Sequence, residues 1–398
     1  MDLRYDLDHE QFRGEVRTFL DEHAGIAPPP QSFSGWTPRD LQWQRLLLDR
    51  GYVGRTIPRR YGGLGEDRDV LKERIVSEEF AERGVSKGLP GQGITYLVPT
   101  LMQAGSEAQR ETWIRPTLRG EVIWCQGYSE PEAGSDLASL RTRAVDDGDD
   151  FIINGQKIWT STANHAQMMF CLVRTESDAP RHKGLSYLIF PMSLPGIEVR
   201  PLRTMNGSSW FNEVFLTDVR VPKSSIVGER GAGWAVANAT LKHERGSLGD
   251  PERNAMRLTA LMALLRDEQG HGLGELPPAL VDRLMSLQAR VIAMRAHDWR
   301  LATDELHSRP AGVAALVVKL ASCELNHDLD ALGIDLLGEL GILYGAGEHL
   351  RREGRWQYDY MHDIGMVIGG GTAQIQRNII AERGLGLPRE APATGRSA

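Results

Sequence analysis

The chain has 398 residues, 46 basic against 53 acidic side chains, a net charge of −7, and 41% hydrophobic and 25% charged residues. This is the composition of a globular protein of two or three domains, and it gives no electrostatic footprint for nucleic acid. No apolar run approaches the roughly 20 residues that span a bilayer, so no membrane insertion is expected.

The opening "MDLRYDLDHEQF" is acidic and amphipathic, not basic and then apolar, so it does not read as a signal peptide. Cys125, Cys171 and Cys323 have neither metal-ligand nor CxxC spacing. They read as buried or free thiols of a reducing, cytoplasmic compartment.

Residues 1–120 read as a helical domain. "FRGEVRTFL" and "DVLKERIVSEEFAERG" repeat apolar residues at three and four, and the second stops at Gly84 as a C-cap. The turn-rich "GYVGRTIPRRYGGLG" between them is no phosphate loop, because no strand leads in and no periodic helix leads directly out. Residues 121–228 read as a β domain, antiparallel or a small barrel. Asn154–Gly155 in "DFIINGQKIW" is a turn pair, and "MMFCLVRT", "GLSYLIFPM", "IEVRPL" and "NEVFLTDVRVP" are short strands. Residues 229–390 read as a bundle of long helices, closing with "AQIQRNIIAERG" between an N-cap at Thr372 and a stop at Gly384. The tail, 391–398, reads as disordered. The fold class is therefore α+β and mainly α.

Three stretches could carry chemistry. "YSEPEAGSD" (128–136) is a turn of small and hydroxylated residues that presents N–H groups to a polar planar ligand, or else a plain surface turn. "GQKIWTSTAN" (155–164) sets Trp159 beside Thr160 and Ser161, or else carries a core tryptophan. In "GAGWAVANATLKHERG" (231–246), Trp234, Leu241 and Glu244 fall on one helical face. A carboxylate buried there must be paired, with Lys242, Arg245 or a distant arginine, or neutral, or working. There is no HExxH, Walker A run or nucleophile elbow, and no histidine pairs with a cysteine at ligand spacing, so no metal site is expected.

In this order and spacing the stretches closely resemble the acyl-CoA dehydrogenases along nearly the whole chain. The motifs are "GYVGRTIPRRYGGLG", "SEPEAGSDLA", "GQKIWTSTA", "NEVFLTDVRVP" and "GTAQIQRNIIAERGLG". The resemblance implies a helical N-terminal domain, a central β barrel or sandwich, a C-terminal four-helix bundle and bound FAD. It further implies that Gln126, Tyr128, Ser129, Gly134 and Ser135 border the flavin, with Ser129 and the 129–135 turn at its pyrimidine edge. Trp159 would lie against the isoalloxazine with Ser161 near N5, and Ser135 near the thioester arm. Asp335, Gly338, Thr372 and Gln374 would serve the FAD of a neighbouring subunit. Many members carry the catalytic glutamate two residues before this threonine, where this chain has Gly370. The isovaleryl and long-chain branch carries it before an arginine on the first helix after the β domain, which here is Glu244 before Arg245. The run Gly369–Gly371 would then leave room for substrate, with Arg245, Gly370 and Gly371 beside it.

The implied activity is α,β-desaturation of an acyl-CoA with a branched or bulky acyl group. Glu244 would be the base, and electron-transfer flavoprotein the acceptor of the electrons. The implied assembly is a tetramer, of one chain or of two. Two departures stand out. "LLRDEQGHGLG" lacks the family's Arg-x-x-Phe-Gly run, leaving Arg266 as the nearest candidate, and Asp335 replaces a customary glutamine. They keep open a half-site partner subunit, and the fold is also compatible with a flavin oxidase or monooxygenase.

Overall fold

The structure is a computed structural model, and it describes residues 5–29, 35–269 and 276–389. The expected disordered tail lies outside these residues. The chain divides into two compact units, Tyr5–Ser247 and the residues from Leu248 onward.

In the first unit, five helices precede the sheet: α1 Leu7–Glu22, α2 Pro38–Arg50, α3 Val70–Arg83, α4 Val98–Ala104 and α5 Glu107–Leu118. Their ends follow the sequence signals. Asp6 caps α1, Thr37 and Asp40 form a capping box on α2, and Gly84 closes α3 in the left-handed region at φ 62°. A single π turn, Gly93–Leu97, leads into α4; a Cβ on Gly93 would meet Trp124 at 2.5 Å, so the backbone runs against the indole there.

Seven strands follow: β1 Trp124–Gly127, β2 Arg143–Asp147, β3 Asp150–Ser161, β4 Met168–Arg174, β5 Leu185–Pro191, β6 Ile197–Leu202 and β7 Phe211–Pro222. The sheet runs β1-β4-β2-β3-β7-β6, with β5 on the other side of β4. The all-antiparallel expectation needs correction, because β1 pairs with β4 in parallel, Trp124 opposite Met168 through Gly127 opposite Cys171, and β2 touches β4 in parallel at Arg143 and Arg174. The excursion through the β2–β3 hairpin supplies the crossover that parallel neighbours need. The continuous apolar runs of β4 and β5 are buried on both faces. Met168, Phe170, Tyr187 and Ile189 meet the helices through Leu97, Leu101 and Leu118, while Met169, Cys171, Leu188 and Phe190 meet β3 and β7.

Asn154–Gly155 is not a turn, and this too corrects the sequence reading. It lies inside the unbroken β3, and the hairpin bend is at Gly148. The pair opposes a bulge in β7 at Asp218, whose φ is 49° and whose side chain and N–H bond the Asn154 amide at 2.9 Å each. Gly155 is required because a Cβ would sit 2.4 Å from Thr142 Oγ1. The sheet hands over to α6, Gly233–Leu248.

The second unit holds α7 Pro251–Gln269, α8 Pro278–Leu306, α9 Gly312–Leu337, α10 Arg355–Ile368 and α11 Ala373–Ile379, which runs on as a π turn to Gly384. Among the described residues α9 packs against α7, α8 and α10 over a leucine-rich core that includes Leu261, Leu284, Val291, Leu329 and Trp356. Arg257 on α7 faces Asp330 on α9 and Asp359 and Asp363 on α10. Arg355 adds a second guanidinium at Asp359, 2.6 Å away. Burial pushes Asp330 up to about 9 even against Arg257.

Candidate active site

The turn that leaves β1 is held from beneath by a buried ion pair. Glu130 is 8% exposed and Lys157, on β3, is fully buried; Lys157 Nζ lies 2.8 Å from Glu130 Oε1 and 3.2 Å from the Tyr128 carbonyl. Glu130 also accepts from the backbone N–H groups of Arg141 and Thr142 at 2.6 and 2.9 Å. Burial would raise this carboxyl, but Lys157 and the two N–H donors outweigh it and hold the group below its usual range. Above this anchor the turn closes on reciprocal backbone bonds between Glu130 and Ala133, leaving Gly134 and Ser135 exposed. Neither charged residue belongs to a motif that marks it in the sequence. The signal was available, since Lys157 is in phase with the inward-facing Phe151 and Ile153 of β3, where a lysine needs a partner.

Ser129 O accepts from Ile158 N at 2.9 Å, which sets the turn directly beside Trp159. β3 carries one extra residue between Lys157 and Thr160, and this bulge turns Trp159 outward. Trp159 stands 56% exposed at φ 58°, a left-handed conformation that costs a bulky residue of order 1–3 kcal/mol. It is therefore no core tryptophan; its one ring neighbour among the described residues is the edge of Phe211, 5.8 Å away. Ser161 lines a cleft of about 70 Å³ with Trp36, Gly93, Ile94, Trp124 and Trp210.

On α6, Trp234 and Leu241 pack against the helical core as their spacing predicts. Glu244 is half-buried, where full burial was expected; it stands just before the last turn of the helix. Burial first, then Tyr187, pushes the Tyr128 phenol far above its ordinary range, with a smaller contribution from Glu244. Arg245 beside it is also half-buried.

In the second unit, α10 ends at the three glycines. Gly370 and Gly371 have φ of 66° and 105°, and a Cβ on Gly371 would meet Gln376 Nε2 at 2.6 Å. Lys319, 2% exposed on α9, donates to the carbonyls of Val367 and Gly371 at 3.0 and 2.9 Å, pinning the helix end and the glycine run together. Thr372 caps α11 by accepting from Ile375 N, and Gln374 is exposed in its first turn. Asp335 is exposed and ion-paired with Arg283 of α8, three residues before the exposed Gly338 at φ 56°. Arg266 lies in the last turn of α7, and the glycine-rich stretch that follows is outside the described residues.

Three family models match the chain end to end: the acyl-CoA dehydrogenase N-terminal domain over residues 6–121, the middle domain over 125–219 and the C-terminal domain over 231–385. The chain belongs to the acyl-CoA dehydrogenase family. It is thus an oxidoreductase of acyl-CoA thioesters by kinship, and the family is FAD-dependent. Acyl-CoA dehydrogenase IpdE1 of Mycobacterium tuberculosis is 37% identical over 395 residues, covering 96% of this chain and 99% of that one. Among solved structures, "Tcur3481-Tcur3483 steroid ACAD" superposes with a TM-score of 0.80 at 30% identity, covering 98% of this acyl-CoA dehydrogenase and all of the other. The ChsE4-ChsE5 complex of Mycobacterium tuberculosis gives 0.78 at 29% identity, with 98% and 100% covered.

Proposed function

We propose that this acyl-CoA dehydrogenase desaturates a bulky acyl-CoA at the α,β bond, with Glu244 as the base that takes the α-proton. The observation that supports the reading most is the half-buried Glu244–Arg245 pair toward the end of α6, on the helix whose Trp234 and Leu241 pack against the helical core. Where the family's other base position falls, Gly370 has a left-handed backbone and no side chain.

The residues present suit a flavin. The outward Trp159 offers an aromatic face. Two buried polar atoms nearby, Gln126 Oε1 on β1 and Thr160 Oγ1 on β3, have no hydrogen-bond partner among the described residues. Gln126, Tyr128, Ser129, Gly134 and Ser135 would border the ring, with Trp159 against it and Ser161 at its edge. Bound FAD supplies the acceptor for the β-hydrogen, leaving as hydride. Glu244 holds the proton removed from the α-carbon, and a bulky acyl chain excludes water from the carboxylate and raises its basicity. Acid precipitation of the purified protein is expected to release intact FAD into a yellow supernatant. A colourless protein that takes up no FAD, alone or with a partner chain, would count against the cofactor.

The acyl group is proposed to be polycyclic or comparably bulky. Support comes from the steroid acyl-CoA dehydrogenase among the structural neighbours and from the absence of side chains at Gly369–Gly371. Bleaching of the flavin by a panel of acyl-CoAs tests this. The highest kcat/KM is expected for bulky ring-bearing thioesters, and a preference for short straight chains would refute it. Electron-transfer flavoprotein is the proposed acceptor; rapid peroxide release from reduced protein would instead favour an oxidase.

A second reading has a specific observation behind it. Asp335, held by Arg283, offers a charge where the family has a neutral amide toward a neighbour's FAD. Together with the two-chain ChsE4-ChsE5 complex among the neighbours, this supports a heterotetramer in which the chain serves as a half-site subunit. Light scattering combined with the FAD-to-chain ratio separates it from the homotetramer.

A further inference from the structure

Asn212 is fully buried on β7, in phase with the inward-facing Val214 and Leu216, where an amide must be answered by partners. Its Nδ2 has three oxygens around it: the Thr160 carbonyl at 3.0 Å, the Trp210 carbonyl at 3.3 Å and Asn164 Oδ1 at 3.5 Å. Its Oδ1 has no hydrogen-bond partner among the described residues, so the side chain works through its donor end.

The three acceptors belong to one irregular segment. Thr160 follows Trp159 and lies opposite Asn212 across the ladder, at the exit of the β3 bulge. The Trp210 carbonyl also accepts from Thr162 N at 3.0 Å, and Asn164 stands in the turn that follows β3. Two residues of this segment, Trp159 and Thr162, are left-handed at φ 58° without being glycine. Such strain persists only where the surroundings over-determine the backbone. The exposed indole does not supply that constraint through packing, since it has the edge of Phe211 alone as a ring neighbour among the described residues. Hydrogen bonds supply it from both sides. At the entry of the bulge, Ile158 N donates to Ser129 O at 2.9 Å; at its exit, the Asn212 amide ties Thr160 to Trp210 and Asn164.

We propose that Asn212 is a positioning residue for Trp159: its amide clamps the exit of the bulge and so fixes the left-handed backbone that presents the indole to the flavin. This rests on Trp159 lying against the flavin. Strand pairing by itself asks for no amide at 212, because Val214 and Leu216 occupy the next inward positions of β7 as plain core residues.

FAD titrated into the apoproteins of Asn212→Leu, Trp159→Gly and the double variant tests this without turnover, with flavin fluorescence as the signal. Asn212→Leu roughly keeps the volume and removes the donor. Its Kd for FAD is expected to rise roughly fivefold to tenfold, the scale of one hydrogen bond between neutral groups. Trp159→Gly removes both the indole and the strain. In that background Asn212→Leu should change Kd by less than about twofold, because the clamp then has nothing to hold. Effects that add in full, or an Asn212→Leu protein that binds FAD like the parent, overturn the proposal. Should Asn212→Leu fold poorly, adding Trp159→Gly should restore the fold, since glycine accepts a left-handed backbone unaided. A double variant that stays unfolded overturns it as well. Trp159→Gly alone separates the two claims. If it binds FAD as tightly as the parent, the place given to Trp159 fails and takes the proposal with it; if it weakens FAD while the two changes add, only the role of Asn212 fails.

Discussion

Glu244→Gln is expected to keep its fold and yellow colour yet lose about 10²–10⁴-fold, or more, in the rate of flavin bleaching by acyl-CoA, the scale of a general base. The amide preserves the shape of the side chain and one acceptor, so folding has little to lose. It cannot accept the α-proton. Rapid-mixing absorbance at substrate saturation checks this, because binding and chemistry then separate. A variant that bleaches as fast as the parent would reduce Glu244 to an ion-pair partner. Moving the carboxylate to the family's other base position is a weaker test. Gly370 has φ 66°, so Gly370→Glu must hold a side chain in the left-handed region at a cost of about 1–2 kcal/mol. Partial rescue would be informative, and failure would have a steric explanation.

Lys157→Met should be the most destabilising single change in the sheet. It strips the cation from Glu130, leaving a carboxylate that is 8% exposed and an unanswered Tyr128 carbonyl. Breaking a buried pair from one side costs about 3–5 kcal/mol, which for a unit of this size lowers Tm by roughly 10 °C. The pH dependence carries the diagnosis. In the parent, the Glu130 carboxyl is depressed, so its contribution is present above the unfolded carboxyl value of about 4.3 and is lost as pH falls through the lower folded value. Without Lys157, burial is opposed only by the Arg141 and Thr142 N–H donors, so the carboxyl rises from its parent value and the deficit should be largest near neutrality and shrink on acidification. Calorimetric scans from pH 4 to pH 8 that show a pH-independent deficit, or none, would contradict the role given to the pair. Flavin affinity should fall in step, since the same pair anchors the turn that precedes Ala133–Ser135.

The order of helices, sheet and bundle was legible because most elements state their period and their caps locally. Asp69 and Gly84 bracket α3, and Thr372 starts α11. What escaped the reading was decided by distant partners. Asn154–Gly155 carries the strongest local turn signal, yet Thr142 and the β7 bulge at Asp218 absorb it into a straight strand. α10 was not singled out because the face it buries includes Gln357, Asp359 and Asp363, apolar by no scale and made burial-competent by Arg257 from α7. The parallel contact of β1 with β4 spans some forty residues of chain and leaves no local mark. At the candidate site, Trp159, Ser161 and the 129–135 turn were visible as motifs. The ion pair beneath them was not, because Glu130 and Lys157 come from different elements.

The outward, left-handed Trp159 sets two selection pressures against each other. In the empty protein the indole gains little packing and its backbone conformation suits glycine better, so a residue chosen for thermal endurance alone would not be tryptophan. Laboratory evolution under heat without ligand would drift toward Trp159→Gly and discard the aromatic face. Evolution under demand for turnover would keep the strain, and position 159 records which of the two pressures has governed this lineage.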